Sequence, residues 1–313
     1  MYFYGNRRGL YTFWLSFGEE KALNSLPNIP QQMFQALERS WKLIKGSFKL
    51  IAANPTLFVF PVLSFLSFIA FLFLIGIFAF PALFLASEEQ IAANLQGIIF
   101  FGFFLLLFAS PFFGTFFAVA LSYETGEVLK GQKVSISRGI KHSIKNLKEI
   151  ILWALTLFLI NILQMILRRL AEKYGGGLGR VAGNTVIDIL LAGWGFVTAF
   201  VIPIMAFEDT TPFASMKKSF HLLKATWGET LVGYIGAGSV LSLLLIPLFL
   251  LLFVPVIGII IIPILILAVI FISLLTQVFN TVFMTALYLY ATEKDAKKAE
   301  KYFDKDLIEH GFY

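Results

Sequence analysis

The chain has 313 residues, 58% of them apolar and only 14% charged, with a mean hydropathy of +0.82, whereas a globular domain is about 45–50% apolar and about 25% charged. The apolar excess lies in runs long enough to cross a bilayer, which excludes soluble domains of any size and indicates an all-α integral membrane protein. The net charge of +6 then speaks first for membrane topology and not for nucleic acid, and the absence of cysteine excludes disulfides, thiolate metal sites and cysteine nucleophiles.

Residues 1–30 carry Arg7 and Arg8 but no apolar core of about 7–15 residues and no small-residue cleavage site, so they do not read as a cleavable signal peptide. Their aromatic residues, among them Tyr2, Phe3, Tyr4, Phe13 and Trp14, predict an arm at the lipid headgroups or against a neighbouring subunit. A membrane domain follows over 31–290, with six predicted spans at 56–86, 96–122, 147–167, 186–207, 229–253 and 258–290. Between the last two, Val254 to Gly258 is the only interruption in a long apolar run. A single helix of about sixty residues would measure about 90 Å against a hydrocarbon core of about 30 Å, so a hairpin turn is required there. Pro61, Pro111 and Pro263 are expected to kink their helices. Residues 291–313 read as a charged tail, either a solvated helix or a recruiter of a partner.

An even number of spans places both termini on one side, together with the loops near 123–146 and 208–228. All of the 25 lysines and arginines fall on that side except Arg168, Arg169, Lys173 and Arg180. The bias predicts cytoplasmic termini in a multi-pass protein of the plasma membrane. The loop at 87–94 has no basic residue and is expected outside. The basic segment around 168–180 is the exception, and the glycines of Tyr174 to Arg180 read as a flexible loop.

The segment Ser40 to Phe48, SWKLIKGSF, returns as SFHLLKATW at Ser219 to Trp227, with Ser, Leu and Lys repeated in register. Phe34, Leu37, Trp41, Ile44, Phe48 and Ile51 follow one another at alternating spacings of three and four, which is one face of a helix. Phe213, Met216, Phe220, Leu223 and Trp227 repeat that rhythm. The two helices are expected to stop at Asn54-Pro55 and at Gly228, and Pro212 suits a helix start. Ile136, Ile140 and Leu147 give a third copy in which Ser143 replaces Ile44. The predicted organisation is therefore a repeat of amphipathic helix plus transmembrane hairpin, with units at 33–122, 133–207 and 212–290. Too short and too charged to span, such helices suit the cytoplasmic interface. The lipid-interface candidates are Trp41, Lys42, Lys45, Phe48, Phe220, Lys224 and Trp227. They either grip anionic headgroups, at about 1 kcal/mol per lysine, or serve as elbows that set the entry angle of the next span.

The sequences RSWKLIKGSF, NPTLFVFPVLSF and VIPIMAFEDTTPFASMKKSFHLLKATWGETLVGYIG resemble the membrane domain associated with bacterial glycerophosphodiester phosphodiesterases and its stand-alone relatives of unknown function. The resemblance covers most of 33–290 and implies a six-helix membrane bundle. It does not extend to the carboxylate- and metal-using catalytic barrel of those enzymes, so no catalytic residue transfers with it.

No hydrolase, metalloprotease or phosphate-loop motif occurs, and no cofactor or metal is expected. His142, His221 and His310 lie far apart in segments outside the spans. Glu208 and Asp209 are expected to end the fourth span and cap the helix that opens at Pro212. Intramembrane polar residues are the other lead. Asn161 and Gln164 share a face of the third span, while Ser273, Gln277 and Thr281, with Asn280 beside them, stripe the sixth. They bond helix to helix or line a solute path. Their depths differ, so they are not expected to form one site. Asp188 reads as a helix-start residue or a proton relay. The expected function is a non-enzymatic membrane protein that binds or organises anionic lipid, assembling as a homo-oligomer and binding no nucleic acid. The alternatives are a small-solute or ion transporter and, third, a lipid enzyme.

Overall fold

The computed structural model describes residues 29–84, 88–231, 242–252 and 257–292. Those residues form α- and 3-10 helices and no strand. The order is α1 (Ile29–Ala53), a 3-10 turn (Pro55–Phe58), α2 (Val59–Phe84), α3 (Glu88–Leu129), α4 (Ile136–Lys145), α5 (Leu147–Tyr174), α6 (Gly176–Val197), α7 (Val201–Phe207), α8 (Pro212–Ala225), a turn of helix at 227–231, α9 (Ile246–Leu251) and α10 (Ile257–Thr292). Five stretches are long and apolar enough to cross a membrane: Pro55–Ile77, Phe100–Leu129, Leu147–Tyr174, Gly179–Phe207 and Ile261–Thr292. The chain is a multi-pass membrane protein. Residues 232–241 and 253 of the predicted fifth span, 254–256 of the turn at Val254 to Gly258, the arm 1–30 (but for its last two residues) and the tail from 293 lie outside the described residues.

Local chemistry explains the helix ends. After α1, Asn54 Nδ2 donates to the Leu50 carbonyl at 2.9 Å, and Pro55 cannot continue the ladder. Ser135 caps α4 and Thr211 caps α8, each hydroxyl accepting a backbone N–H at 3.4 Å. At the end of α3, Gly131 has φ +86°. Its N–H donates to Val128 O and that of Gln132 to Glu127 O, both at 2.9 Å, a Schellman closure that favours glycine.

Several sequence expectations are corrected. The segment 87–94 is helical from Glu88, and α3 runs on to Leu129, so the expected 123–146 loop shrinks to 130–135. Pro61 sits in the first turn of α2, where its missing N–H breaks no ladder bond, while Pro111 and Pro263 do lie inside their helices, where each removes a ladder bond. The glycine-rich 174–180 is not a flexible loop. Gly175 alone separates α5 from α6, and Gly176, at φ +57°, begins the next helix. The second amphipathic helix ends at Ala225, before Gly228, with Thr226 as its C-cap, whose N–H donates to Leu222 O at 2.9 Å.

The fourth span breaks at 198–200, between α6 and α7. Pro203 explains this: it has no N–H for the carbonyl of Ala199, and its ring crowds that turn. Ser219 from α8 stitches the break, donating to Val197 O at 2.6 Å and accepting from Phe200 N–H at 3.1 Å.

Burial is concentrated at one end of the bundle. Most buried residues of the spans are Leu57 and Phe60 of the first, Thr115 to Leu129 of the second, Ile150 to Phe158 of the third, Phe200 to Ala206 of the fourth and Val278 to Leu289 of the last; Ala109, Ile187 and Ile261 are buried elsewhere. Apart from those last three, these residues lie where α1, α4 and α8 pack, through contacts of α1 with α10, of α4 with α3, and of α8 with α7 and α10. Towards the opposite end the helices turn apolar side chains such as Phe73, Phe100 and Leu267 outward.

Candidate functional site

The packed end holds most of the charged chemistry. Residues 99 and 179 positions after Arg39 are Arg138 and Lys218, and each of the three pairs with a carboxylate from another element. Arg138 Nε and Nη2 reach Glu124 Oε1 and Oε2 at 2.7 and 2.8 Å, and Ser135 N–H donates to the same carboxylate at 2.7 Å. Glu124 is fully buried on α3. Its hydrogen bonds raise Arg138 above the ordinary guanidinium range. Arg39 binds Glu229 at 2.7 Å, with Glu229 3% exposed. Lys218 pairs with Glu208, which is 25% exposed and also accepts the Tyr288 hydroxyl. Glu208 therefore is not the cap of α8; Thr211 is, and Glu208 ties α8 to α10. This set of ion pairs was missed in the sequence, although the 99 and 179 offsets that relate the amphipathic segments pick out all three bases.

The amphipathic helices share a second regularity. Ser40, Gly139 and Ser219, then Ser47, Asn146 and Thr226, then Ile51, Ile150 and Thr230, are buried at the same offsets. Small side chains let these helices seat closely. A Cβ on Gly139 would lie 2.9 Å from the Phe60 ring and 3.0 Å from Glu124 Cγ. Ser143 also donates to Phe116 O at 2.8 Å.

The large apolar residues of the predicted faces divide. Ile51 and Leu223 pack inward, whereas Trp41, Phe48, Phe220 and Trp227 stay exposed, as do Ile144 of α4 and Leu147 at the start of α5. Phe48 touches the core through Phe279, ring centroids 4.7 Å apart. Lys45 Nζ stands 5.2 Å over the Trp41 ring, and Lys224 Nζ, 179 positions later, 4.6 Å over Phe220. Lys42 is engaged with Glu38 at 3.1 Å, and His221 at the matching position contacts Lys217 O.

His142 on α4 stacks on Tyr123, centroids 3.8 Å apart and planes 10° apart, and its Nε2 lies 3.0 Å from Asn146 Nδ2. Burial pushes its pKa below the ordinary 6.5. His221 is exposed and far from it in sequence, and His310 lies outside the described residues. Among the described residues no three His, Asp or Glu side chains are grouped to hold a metal ion.

The intramembrane candidates lie in two places. Asn161 is exposed on α5. Gln164, with its amide oxygen turned towards Arg168, accepts from Nη2 at 3.1 Å and Nε at 3.2 Å, and Arg168 reaches Asp188 of α6 at 2.5 Å. This arginine, at the end opposite the packed one, thus clamps α5 to α6, and Asp188 is its counter-ion. On α10, Ser273 and Gln277 line two neighbouring cavities. One, of about 370 Å³, lies against α2 and α3 at Ser64, Phe65, Ser110 and Phe113. The other, of about 520 Å³, is bounded among the described residues by Ser242, Thr276, Asn280 and Thr281. Asn280 Oδ1 is buried and has no hydrogen-bond partner among the described residues.

No curated protein and no solved structure matches the chain. A family model described as "Family of unknown function (DUF6159)" matches residues 92–298, from α3 past the end of α10. That match spans more than half of the sequence, and the chain belongs to this family.

Proposed function

We propose that this protein is a non-enzymatic, lipid-organising membrane protein: six spans in three repeated units, each led by an amphipathic helix lying in the cytoplasmic interface. The observation that carries this reading is the outward aromatic face. A soluble helix would turn Trp41, Phe220 and Trp227 inward; here the small polar face packs on the protein and the aromatic face is left exposed. That inversion suits a helix whose apolar solvent is lipid. The lysines over Trp41 and Phe220 hold their charge at the edge of that face, at headgroup depth, where an anionic leaflet attracts it. The repeated ion-pair positions at Arg39, Arg138 and Lys218 support the threefold unit, with Glu229 joining the last unit to the first. The resemblance of 33–290 to the phosphodiesterase-associated membrane domain agrees with such a bundle.

Native mass spectrometry of gently solubilised protein tests the reading, comparing wild type with Lys45→Glu/Lys224→Glu. Retained anionic lipid, in a defined homo-oligomer, that the double variant loses is the expected outcome. A lipid-indifferent monomer would reduce the three helices to elbows. A solute path along α10 is the second reading, favoured by the two cavities at Ser273 and Gln277; it expects liposome flux that Gln277→Leu abolishes.

A further inference from the structure

We propose that the paired cavities on α10 form a lateral binding site for one uncharged glycerolipid with a free hydroxyl, of the diacylglycerol class. The site is separate from the amphipathic helices and recognises different chemistry. Those helices present lysines, which suit anionic headgroups. Among the described residues no charged side chain lines either cavity, so an ionised headgroup placed there would be desolvated without a counter-charge from them. What the cavities do present, at the end nearer the packed core, is a set of hydroxyls and carboxamides: Ser273, Thr276, Gln277, Asn280 and Thr281. Carboxamides donate and accept, which matches ester carbonyls and a glycerol hydroxyl together. Asn280 Oδ1, buried and unpartnered among the described residues, is the acceptor left for that hydroxyl.

Towards the opposite end the first cavity becomes apolar, between Phe65, Phe68, Phe113 and Val269. From Val269 to Thr281 is about 18 Å along a helix, close to the half-thickness of a hydrocarbon core of about 30 Å. A lipid seated with glycerol at Asn280 and chain at Phe68 therefore keeps its normal depth. Both volumes lie within the range of about 300–1,000 Å³ usual for small-molecule sites. Leu66, Ile69 and Val269 are exposed beside the first cavity, so entry is sideways from the bilayer.

The test is photo-crosslinking in nanodiscs with a clickable, photoactivatable diacylglycerol, followed by peptide mapping. Labelling is expected on the peptides holding 64–68, 110–114 and 269–281. Unlabelled diacylglycerol should reduce it at least tenfold more effectively than phosphatidylglycerol does. Asn280→Leu and Gln277→Leu should lower it severalfold, and Lys45→Glu/Lys224→Glu should leave it unchanged. That last arm separates this site from the proposed headgroup contacts, since the double variant disrupts only those. Labelling spread evenly over exposed apolar helix faces, or competed equally by both lipids, would overturn the proposal. The wild-type competition decides the matter even if a leucine variant fails to fold, and Ser273→Ala offers a milder change at the same wall.

Discussion

The two ends of this bundle are built by different rules. At the packed end, α1, α4 and α8 close over the spans. Buried phenylalanines, small polar contacts and a fully buried carboxylate are held together there. At the opposite end, α2 with α3 and α5 with α6 form helical pairs whose outer surfaces are apolar and exposed. In water such exposure would be unstable. In a bilayer lipid tails satisfy it, and helix pairs need only local packing and a few polar clamps such as Arg168–Asp188. The difference teaches where close packing is needed: at the end where charged and backbone polar groups are buried together, and not where the helices present only apolar side chains.

The strongest way to break this contrast is to remove equivalent cations. Arg138→Ala strands Glu124 in a buried site and should destabilise the protein by about 3–5 kcal/mol. Arg168→Ala releases Asp188, which is 62% exposed, and should change stability by no more than about 1 kcal/mol. Within the packed end the loss should fall in the order Arg138, Arg39, Lys218, following the increasing exposure of Glu124, Glu229 and Glu208. Denaturant or thermal unfolding in one detergent measures all four. A large effect at Arg168 would erase the distinction between the ends.

Phenylalanine truncation gives the next largest contrast. Phe283 is fully buried against Phe279, rings stacked with centroids 5.9 Å apart, and Phe283→Ala should cost about 3 kcal/mol or more. Phe73 is exposed near the opposite end, so Phe73→Ala exchanges ring for lipid and should stay within about 0.5 kcal/mol. Glycine substitutions sharpen the comparison at smaller scale. Gly139→Ala must move the Phe60 ring or Glu124 and should cost about 1 kcal/mol or more. Gly102→Ala meets nothing within 4 Å and should gain a few tenths to about 1 kcal/mol from helix propensity. Equal effects at the two glycines would argue against a tightly seated α4.

Much of this architecture was legible. Long apolar runs fix membrane helices whatever their neighbours do, because an unbonded backbone is excluded from hydrocarbon. The residues of the 3-4 rhythm fall on α1 and on α8 with the short turn that follows it, and Ile136 and Ile140 fall on α4. Which face packs was not legible, since hydrophobicity alone does not distinguish an outward-facing Trp41 from a core-facing one. The break at 198–200 was overlooked, although Pro203 encodes it. The pairings of Arg138 with Glu124 and of Lys218 with Glu208 needed tertiary structure, because nothing in the local spacing of 14 or 10 residues brings those side chains together. The glycines at 174–180 misled for a physical reason: flexibility is their common use, but here Gly175 and Gly183 serve close approach, each Cβ position falling within 3 Å of Ala171 atoms.

The smallest expected effect is a pH dependence confined to the packed end. His142 is held between Tyr123 of α3 and the Ala206 carbonyl of α7, with Lys145, Glu124 and Asp209 as its charged neighbours. Burial outweighs the two acids and lowers its pKa below 6.5. The neutral ring is therefore favoured in the folded state. Its contribution is fully present above the unfolded value near 6.5 and is lost as pH falls from there through the folded pKa. Thermal stability should accordingly decline below about pH 6.5 in wild type, and His142→Gln should flatten that slope without altering stability at pH 8 by more than about 1 kcal/mol. Because the ring joins α4 to α3 and α7, the acid-labile step should appear as hydrogen exchange in α4 before exchange in the α5–α6 pair. Simultaneous loosening of both ends would mean that the packed end and the opposite helix pairs unfold as one unit, and the division drawn between them would then be geometric and not energetic.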